Sequence, residues 1–268
     1  MDVKFHPAMR AIGNGDLEKF KALIAEDPSL ATSRSLRSHP TLLQCLVLDG
    51  KDKPHHLEMV QALIDAGAEL NEPFGATASI NNRPAAELLL DHGAAIDGVA
   101  SWTPIEEALY WNSRDVLALL LERGAKVQNL RTAAGLGRTD LIESYFNADG
   151  TVKPEAGKIN WPFGDNVNSW SQDTQAIVNN AFVYACMHGH LDAAQLLLDK
   201  GAEINVIPNG FDYAGTGLHY AALNGHRAMV EFLLARGADR NIKDTKVNST
   251  AAGWADHGGH AELRDFLR

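Results

Sequence analysis

Apolar and polar residues follow one another along this chain with the spacing of paired short helices. Within residues 215–241, one apolar run ends at an Asn-Gly pair and a second run, with helical spacing, ends at Gly237. A glycine there can take the left-handed conformation that closes a helix. Such a pair buries only one side of each helix, so it needs copies of itself as neighbours. The second half recurs as LIDAGAELN (63–71), LLLDHGAAID (88–97), LLLERGAKVQN (119–129) and LLLDKGAEIN (196–205).

The repeated unit resembles the ankyrin repeat, whose pattern is TPLHxAA...GH...LLxxGAdxN. Thr103-Pro104-Ile105 and Thr216-Gly217-Leu218-His219 match its opening. The period, the glycine placement and the helix pattern agree with that family. The resemblance implies an all-α solenoid of about eight helix-turn-helix units, with one long loop insertion, in a single ankyrin-repeat domain over residues 1–268.

The units are uneven in length. The second carries the polar extension KDKPHH, in which His55 and His56 are expected to be exposed. The third is short, so we expect its first helix to be shortened or irregular around residues 77–82. The sixth should begin with a long helix over residues 174–187. The predicted units are 7–33, 39–71, 72–97, 98–129, 130–146, 171–205, 211–243 and 245–268, with the insertion at 147–170.

The insertion at 147–170 is rich in Gly, Pro, Asn and Asp, which is typical of a loop. It also carries Ile159, Trp161, Phe163 and Trp170. Leaving large apolar side chains in water forgoes roughly 1.5–3 kcal/mol for each one. We therefore expect the loop to dock on the array with Trp161 or Phe163 as its anchor. A loop disordered between two halves of the array is the alternative.

Charge and cysteine content narrow the function class. The net charge is -10 and the pI is near 5.5, which argues against nucleic acid and anionic membranes as partners. Cys45 and Cys186 occupy apolar helix positions and are expected to be buried free thiols, as in a reducing compartment. No signal-peptide core or bilayer-length apolar run is visible. These features predict a cytoplasmic protein that does not enter membranes.

The histidines are the main candidates for chemistry, and their positions favour structural roles. His190, His226 and His260 stand at the GH position and His219 at the TPLH position. The resemblance implies that such histidines bond the backbone of neighbouring loops. Equivalent positions in helices packed roughly 8–10 Å apart cannot converge on one metal ion. No nucleophile or phosphate-loop motif occurs, and Cys186 occupies a packed position. No catalytic residue, metal or cofactor is predicted.

The strongest signal for binding is positional. In ankyrin repeats the turn tips and the residues before GH line the concave face, and exposed aromatic and methionine side chains there suggest an interface. The alternative is that some of these residues cover the 147–170 loop. Tyr184, Tyr220 and Trp254 form a second row in which core packing is favoured. The predicted binding residues are Trp102, Tyr110, Trp111, Met187, His188, Phe211, Tyr213, Asn224 and His257.

The resemblance therefore predicts a scaffold module that recognises another protein through a concave groove. The alternative is a small-molecule-binding protein or enzyme whose groove is closed by the 147–170 loop. An open groove would favour the first hypothesis and a closed pocket the second. Nucleic-acid binding is disfavoured because no basic stripe is present.

Overall fold

The computed structural model describes residues 3–35, 39–99, 103–157, 173–211 and 214–268. Their regular structure is helical, and the only β pairing among them consists of two isolated bridges. Backbone contacts divide the chain into an N-terminal half, Met1–Lys126, and a C-terminal half, Val127–Arg268. Each half contains four helix pairs, so the described residues confirm the prediction of an all-α repeat fold.

In the N-terminal half, short turns connect the two helices of each pair. A 3-10 turn, Val3–Phe5, precedes the first pair. The helices are α1 His6–Asn14, α2 Leu17–Glu26, α3 Ser29–Thr32, α4 Leu42–Asp49, α5 His56–Asp65, α6 Asn71–Ser79, α7 Arg83–Asp91, α8 Pro104–Tyr110 and α9 Arg114–Glu122.

In the C-terminal half, the same arrangement continues with one longer helix. A second 3-10 turn, Pro154–Gly157, lies between the first two pairs. The helices are α10 Leu130–Gly135, α11 Thr139–Ser144, α12 Thr174–Met187, α13 Leu191–Asp199, α14 Gly217–Leu223, α15 Arg227–Ala235, α16 Ala251–His257 and α17 Ala261–Leu267. The long first helix predicted for the sixth unit is confirmed as α12, with 14 residues.

The helices of each half pack in two rows. In the N-terminal half α6 packs between α4 and α8, and α5 and α7 link α2 to α9 in the second row. In the C-terminal half α10, α12, α14 and α16 form the first row. Leucines such as Leu46, Leu89 and Leu119 lie between helices with no exposed surface, and burying each contributes roughly 1.5–3 kcal/mol. Packing between successive repeats therefore holds the helices together.

The third repeat is short for a different reason from the predicted one. Its first helix, α6, has nine residues and is regular, so the expectation of a shortened or irregular helix is wrong. The missing length is in the connection, because α6 begins at Asn71, directly after the turn at Gly67. The helix is kept because it must fill the space between α4 and α8.

Side-chain caps set where the first helices begin. Thr103 accepts a hydrogen bond from the backbone of Glu106, whose carboxylate in turn accepts one from the backbone of Thr103, which closes a capping box. Thr41 caps α4 in the same way through the backbone of Gln44. These caps fix the first helices to a common starting point, so positions counted from them are equivalent between repeats.

The turns between paired helices are filled by rings from the next repeat. Gly189 and Gly225 have positive φ angles of 74° and 71°. A Cβ atom on Gly189 would lie 2.9 Å from the His226 ring, and one on Gly225 would lie 2.5 Å from the His260 ring. His226 Nε2 also donates to the carbonyl of Met187 at 3.0 Å. The structural role predicted for these GH histidines is confirmed at His226.

The second repeat fills the preceding turn with a proline instead of a histidine ring. Pro54 lies against Gly15, in the place that a histidine ring takes elsewhere. His55 has a positive φ of 59°, and His56 follows it at the GH position and is only 7% exposed. The expectation that both histidines are exposed is therefore wrong for His56. The inserted residues before the turn conceal this equivalence in the sequence.

Candidate functional site

A pair of aromatic residues lies at the end of α8 and leaves much of its surface in water. Ile105, Ala108 and Leu109 face the core, so the last turn of the helix directs Trp111 outward. Trp111 is 46% exposed, and Asn112, with a positive φ of 54°, turns the chain toward α9. An exposed tryptophan at a rigid helix end is a candidate contact for a partner.

The orientation of the Trp111 side chain is fixed by two neighbours. Its ring meets the ring of Tyr110 edge to face, with centroids 5.0 Å apart and an interplanar angle of 84°. Its Nε1 atom donates to the Oε1 atom of Glu107 at 2.9 Å. The tryptophan is therefore held in place before any partner arrives.

The same position can be located in the two preceding repeats. Ile80 and Trp111 each directly precede an asparagine with a φ of 54°, so they are equivalent. Asp49 stands as far from its capping residue Thr41 as Trp111 does from Thr103, and it is exposed. The sequence did not single out Asp49, Ile80 or Glu107, although their spacing from the caps would have found them.

In the C-terminal half, three predicted binding residues end their first helices. His188, Asn224 and His257 stand at the C-terminal ends of α12, α14 and α16. The His188 ring stacks on the His190 ring with centroids 6.3 Å apart, and Asn224 donates to the carbonyl of Tyr220 at 3.0 Å. His257 is exposed and the other two are half-buried.

Two predicted binding residues are buried, so the expectation that they are exposed is wrong. Met187 is the last residue of α12 and is only 2% exposed. Phe211 is 9% exposed and lies between Tyr184 and Tyr220, at centroid distances of 5.4 Å and 5.0 Å. The Tyr220 ring also meets the Trp254 ring at 5.0 Å. The predicted core packing of Tyr184, Tyr220 and Trp254 is confirmed, with Phe211 inserted into their row.

Part of the predicted site lies outside the described residues. This applies to the binding residues Trp102 and Tyr213 and to the loop anchors Trp161 and Phe163. The start of the insertion is described, and its 3-10 turn, Pro154–Gly157, packs against α10 and α12.

The buried histidines serve the fold. His219 Nδ1 accepts from the backbone of Thr216 at 3.1 Å, and its Nε2 lies 3.2 Å from the carbonyl of Ser249. His190 Nε2 lies 3.1 Å from the carbonyl of Gly135. Burial lowers the pKa of both rings, although these backbone contacts raise it in part. Both imidazoles are therefore held neutral, as their predicted structural role requires.

Both cysteines lie in the packed interior. Cys45 and Cys186 are free and buried, as predicted. Burial raises the pKa of both thiols and so disfavours the thiolate that nucleophilic attack or metal binding needs. Among the described residues no group of three His, Cys, Asp or Glu side chains is placed to hold a metal ion. No helix in this part of the chain has the length and apolarity needed to cross a membrane.

Comparison with family models agrees with this architecture. Residues 52–131 match a model described as ankyrin repeats (3 copies), and residues 182–234 match one described as ankyrin repeats (many copies). The matched segments contain the N-capped first helices, the ring-filled turns and the left-handed glycines that end the second helices. The chain belongs to the ankyrin repeat family.

Proposed function

We propose that this chain binds another protein at the C-terminal ends of its first helices, with Tyr110 and Trp111 as the main contact in the N-terminal half. The observation that carries the proposal is the exposed, fixed Trp111 ring. Ankyrin repeats are generally protein-interaction modules. Tryptophan and tyrosine are enriched among the residues that contribute most to binding energy.

The geometry of the aromatic pair suits this role. Association usually costs roughly 0.5–1.5 kcal/mol for each side chain that becomes immobilised. Trp111 is already held by Glu107 and by the edge of Tyr110, so this cost is reduced. A partner that covers the outer face of the indole gains apolar burial without reorganising the helix.

The C-terminal half offers candidate contacts of its own. Polar atoms are offered there by His188 and Asn224, directly after their helices, and by His257, the last residue of α16. A small-molecule or enzyme site closed by residues 147–170 stays the alternative prediction, because most of that segment lies outside the described residues.

The test compares two exposed apolar residues in the same half. Trp111→Ser removes the proposed contact, and Leu121→Ser changes a side chain of similar exposure (45% against 46%) on a second helix. We expect proteins captured specifically by the full chain to be retained by Leu121→Ser and reduced about tenfold or more by Trp111→Ser. Equal capture by both variants and the unaltered chain would refute the proposal.

A further inference from the structure

An asparagine or an aspartate directly precedes a glycine at six places in the described residues, and one of these places differs from the rest. At five of them the glycine N–H donates a backbone hydrogen bond of 2.8 to 3.2 Å. These glycines are Gly15, Gly50, Gly98, Gly150 and Gly225. The sixth glycine, Gly210, follows Asn209, and its N–H has no hydrogen bond to any part of the chain that the structure describes.

The side chain and the carbonyl of Asn209 are held very differently. The residue is exposed in the connection between α13 and α14, and its side-chain amide makes no hydrogen bond to another described residue. Its backbone carbonyl accepts a hydrogen bond of 2.8 Å from Nδ2 of Asn180. Asn180 lies on α12 with no exposed surface, so this donor is fixed by packing. The side chain of Asn209 can therefore turn while its carbonyl stays in place.

An asparagine before a glycine can lose its amide because the glycine has no side chain to obstruct ring closure. The backbone nitrogen of the glycine gives its proton to hydroxide and attacks the Cγ atom of the asparagine. The new N–Cγ bond closes a five-membered succinimide, and Nδ2 takes a proton from water and leaves as ammonia. Water then opens the ring at either carbonyl, which gives aspartate or isoaspartate. A glycine N–H that is already hydrogen-bonded must first be released by local opening.

We propose that Asn209 deamidates spontaneously in the folded protein and that Asn180 assists the reaction. When the Gly210 nitrogen loses its proton, the negative charge spreads onto the oxygen of the same peptide unit, which is the carbonyl oxygen of Asn209. The Nδ2 atom of Asn180 donates to this oxygen and stabilises the charge, as fixed donors stabilise oxyanions in enzymes. The reaction needs only water, so it goes beyond the binding function proposed above.

The product changes the C-terminal half locally. A carboxylate replaces a neutral amide, so the chain becomes more negative than its present net charge of -10. Isoaspartate also lengthens the main chain by one carbon, and the carbonyl that Asn180 holds becomes part of a carboxylate. Phe211 follows two residues later and packs between Tyr184 and Tyr220. Isoaspartate at this position is therefore expected to disturb the aromatic row.

The test compares the three Asn-Gly sites in one sample of the full chain in mildly alkaline buffer. Peptide mapping by mass spectrometry follows the deamidated fraction at Asn14, Asn209 and Asn224, and an isoaspartate-specific methyltransferase identifies the linkage. We expect Asn209 to react about tenfold faster than the other two or more, because Gly15 and Gly225 must first release a hydrogen bond. In guanidinium chloride that unfolds the chain, the three sites should react at similar rates.

Two variants test the part assigned to Asn180. Asn180→Ala removes the donor and should slow deamidation of Asn209 by about 2- to 10-fold. A merely structural role predicts the opposite, since a looser connection brings the two reacting atoms together more often. Asn179→Ala is the matched control, because its side chain accepts from the backbone of Glu203 at 2.9 Å in the same connection. This control should not slow the reaction.

Each outcome supports or overturns one part of the proposal. Equal rates at Asn209 and Asn14 in the folded chain, or rate ratios that unfolding leaves unchanged, overturn deamidation directed by the fold. An unchanged or higher rate in folded Asn180→Ala overturns the assistance by Asn180. A measurement on the unaltered chain serves if that variant does not fold. With assistance, Asn209 should react at least as fast in the folded chain as in the unfolded one, and a slower reaction overturns it.

Discussion

The contact between Gly189 and the His226 ring gives a prediction that can be worked out from the structure. Gly189 has a φ of 74°, and the ring of His226 lies where its Cβ atom would be. Gly237 has a φ of 90° and nothing within 4 Å of a Cβ atom at its position. The two glycines thus share the left-handed conformation and differ in the ring contact.

Replacing each glycine by alanine separates these two effects. An alanine in the left-handed region costs roughly 1–2 kcal/mol, which should be the whole effect of Gly237→Ala. Gly189→Ala should cost a further 1–3 kcal/mol or so, because the added methyl group must displace a packed ring. We therefore expect Gly189→Ala to lower the free energy of unfolding by about 2–5 kcal/mol.

Urea unfolding followed by far-UV circular dichroism measures both variants. His226→Ala removes the ring, so Gly189→Ala in that background should cost no more than Gly237→Ala. The double-mutant cycle should therefore show a favourable coupling of at least about 1 kcal/mol between residues 189 and 226. His226→Ala alone also loses the hydrogen bond to Met187, and the cycle cancels that term. Equal costs for the two glycine variants, or no coupling, would refute the steric explanation.

Two further predictions concern pH. In the N-terminal half, Asn82 Nδ2 donates to the Nε2 atom of His56 at 3.0 Å, and burial lowers the pKa of His56 against the opposing charges of Asp52 and Glu58. The folded state thus disfavours protonation of His56, so hydrogen-exchange protection of α4 to α7 should fall as pH drops below about 6.5. The fall should be smaller in His56→Gln. An identical fall in this variant would contradict the assignment to His56. In the C-terminal half, burial of Asp244 opposes its ionisation, but hydrogen bonds from the backbone of Val247, the Trp254 indole and the backbones of Lys246 and Ser249 outweigh it and lower the pKa to about 2. The charge of Asp244 therefore stabilises the fold above the unfolded pKa near 4, and this stabilisation is lost as pH falls toward 2. Asp244→Asn should reduce the free energy of unfolding at pH 7 by about 2 kcal/mol. Unchanged hydrogen-exchange rates in residues 242–268 of this variant would count against the prediction.

The repeat architecture was predictable from the sequence because its determinants are local. A glycine at the end of most second helices and the spacing of apolar residues specify a helix pair without reference to distant residues. The predicted bounds of α12, Thr174–Met187, agree with the structure for this reason. The prediction for the third repeat was wrong because the sequence shows only the total length of the repeat. Since α6 keeps its full length to pack between α4 and α8, the connection before it is the part that is shortened.

The candidate site was predictable only in part. Of the two residues before the turn, the second is exposed at Trp111, whereas the first is buried at Met187. A sequence pattern that treats the two alike cannot make this distinction. Phe211 is buried because its connection folds back between Tyr184 and Tyr220, which depends on contacts between repeats. Glu107 gained its role from the Trp111 indole, one helical turn away.

The missing connection before α6 has a consequence for how such chains change over evolutionary time. The deletion after Gly67 and the extra residues before His55 both fall in connections, and the helix pairs beside them keep their packing. A repeat can therefore lose or acquire a connecting segment in one mutational event without a compensating change in its neighbours. Selection can then vary the length of each connection independently, while the helix pair remains the unit that is inherited.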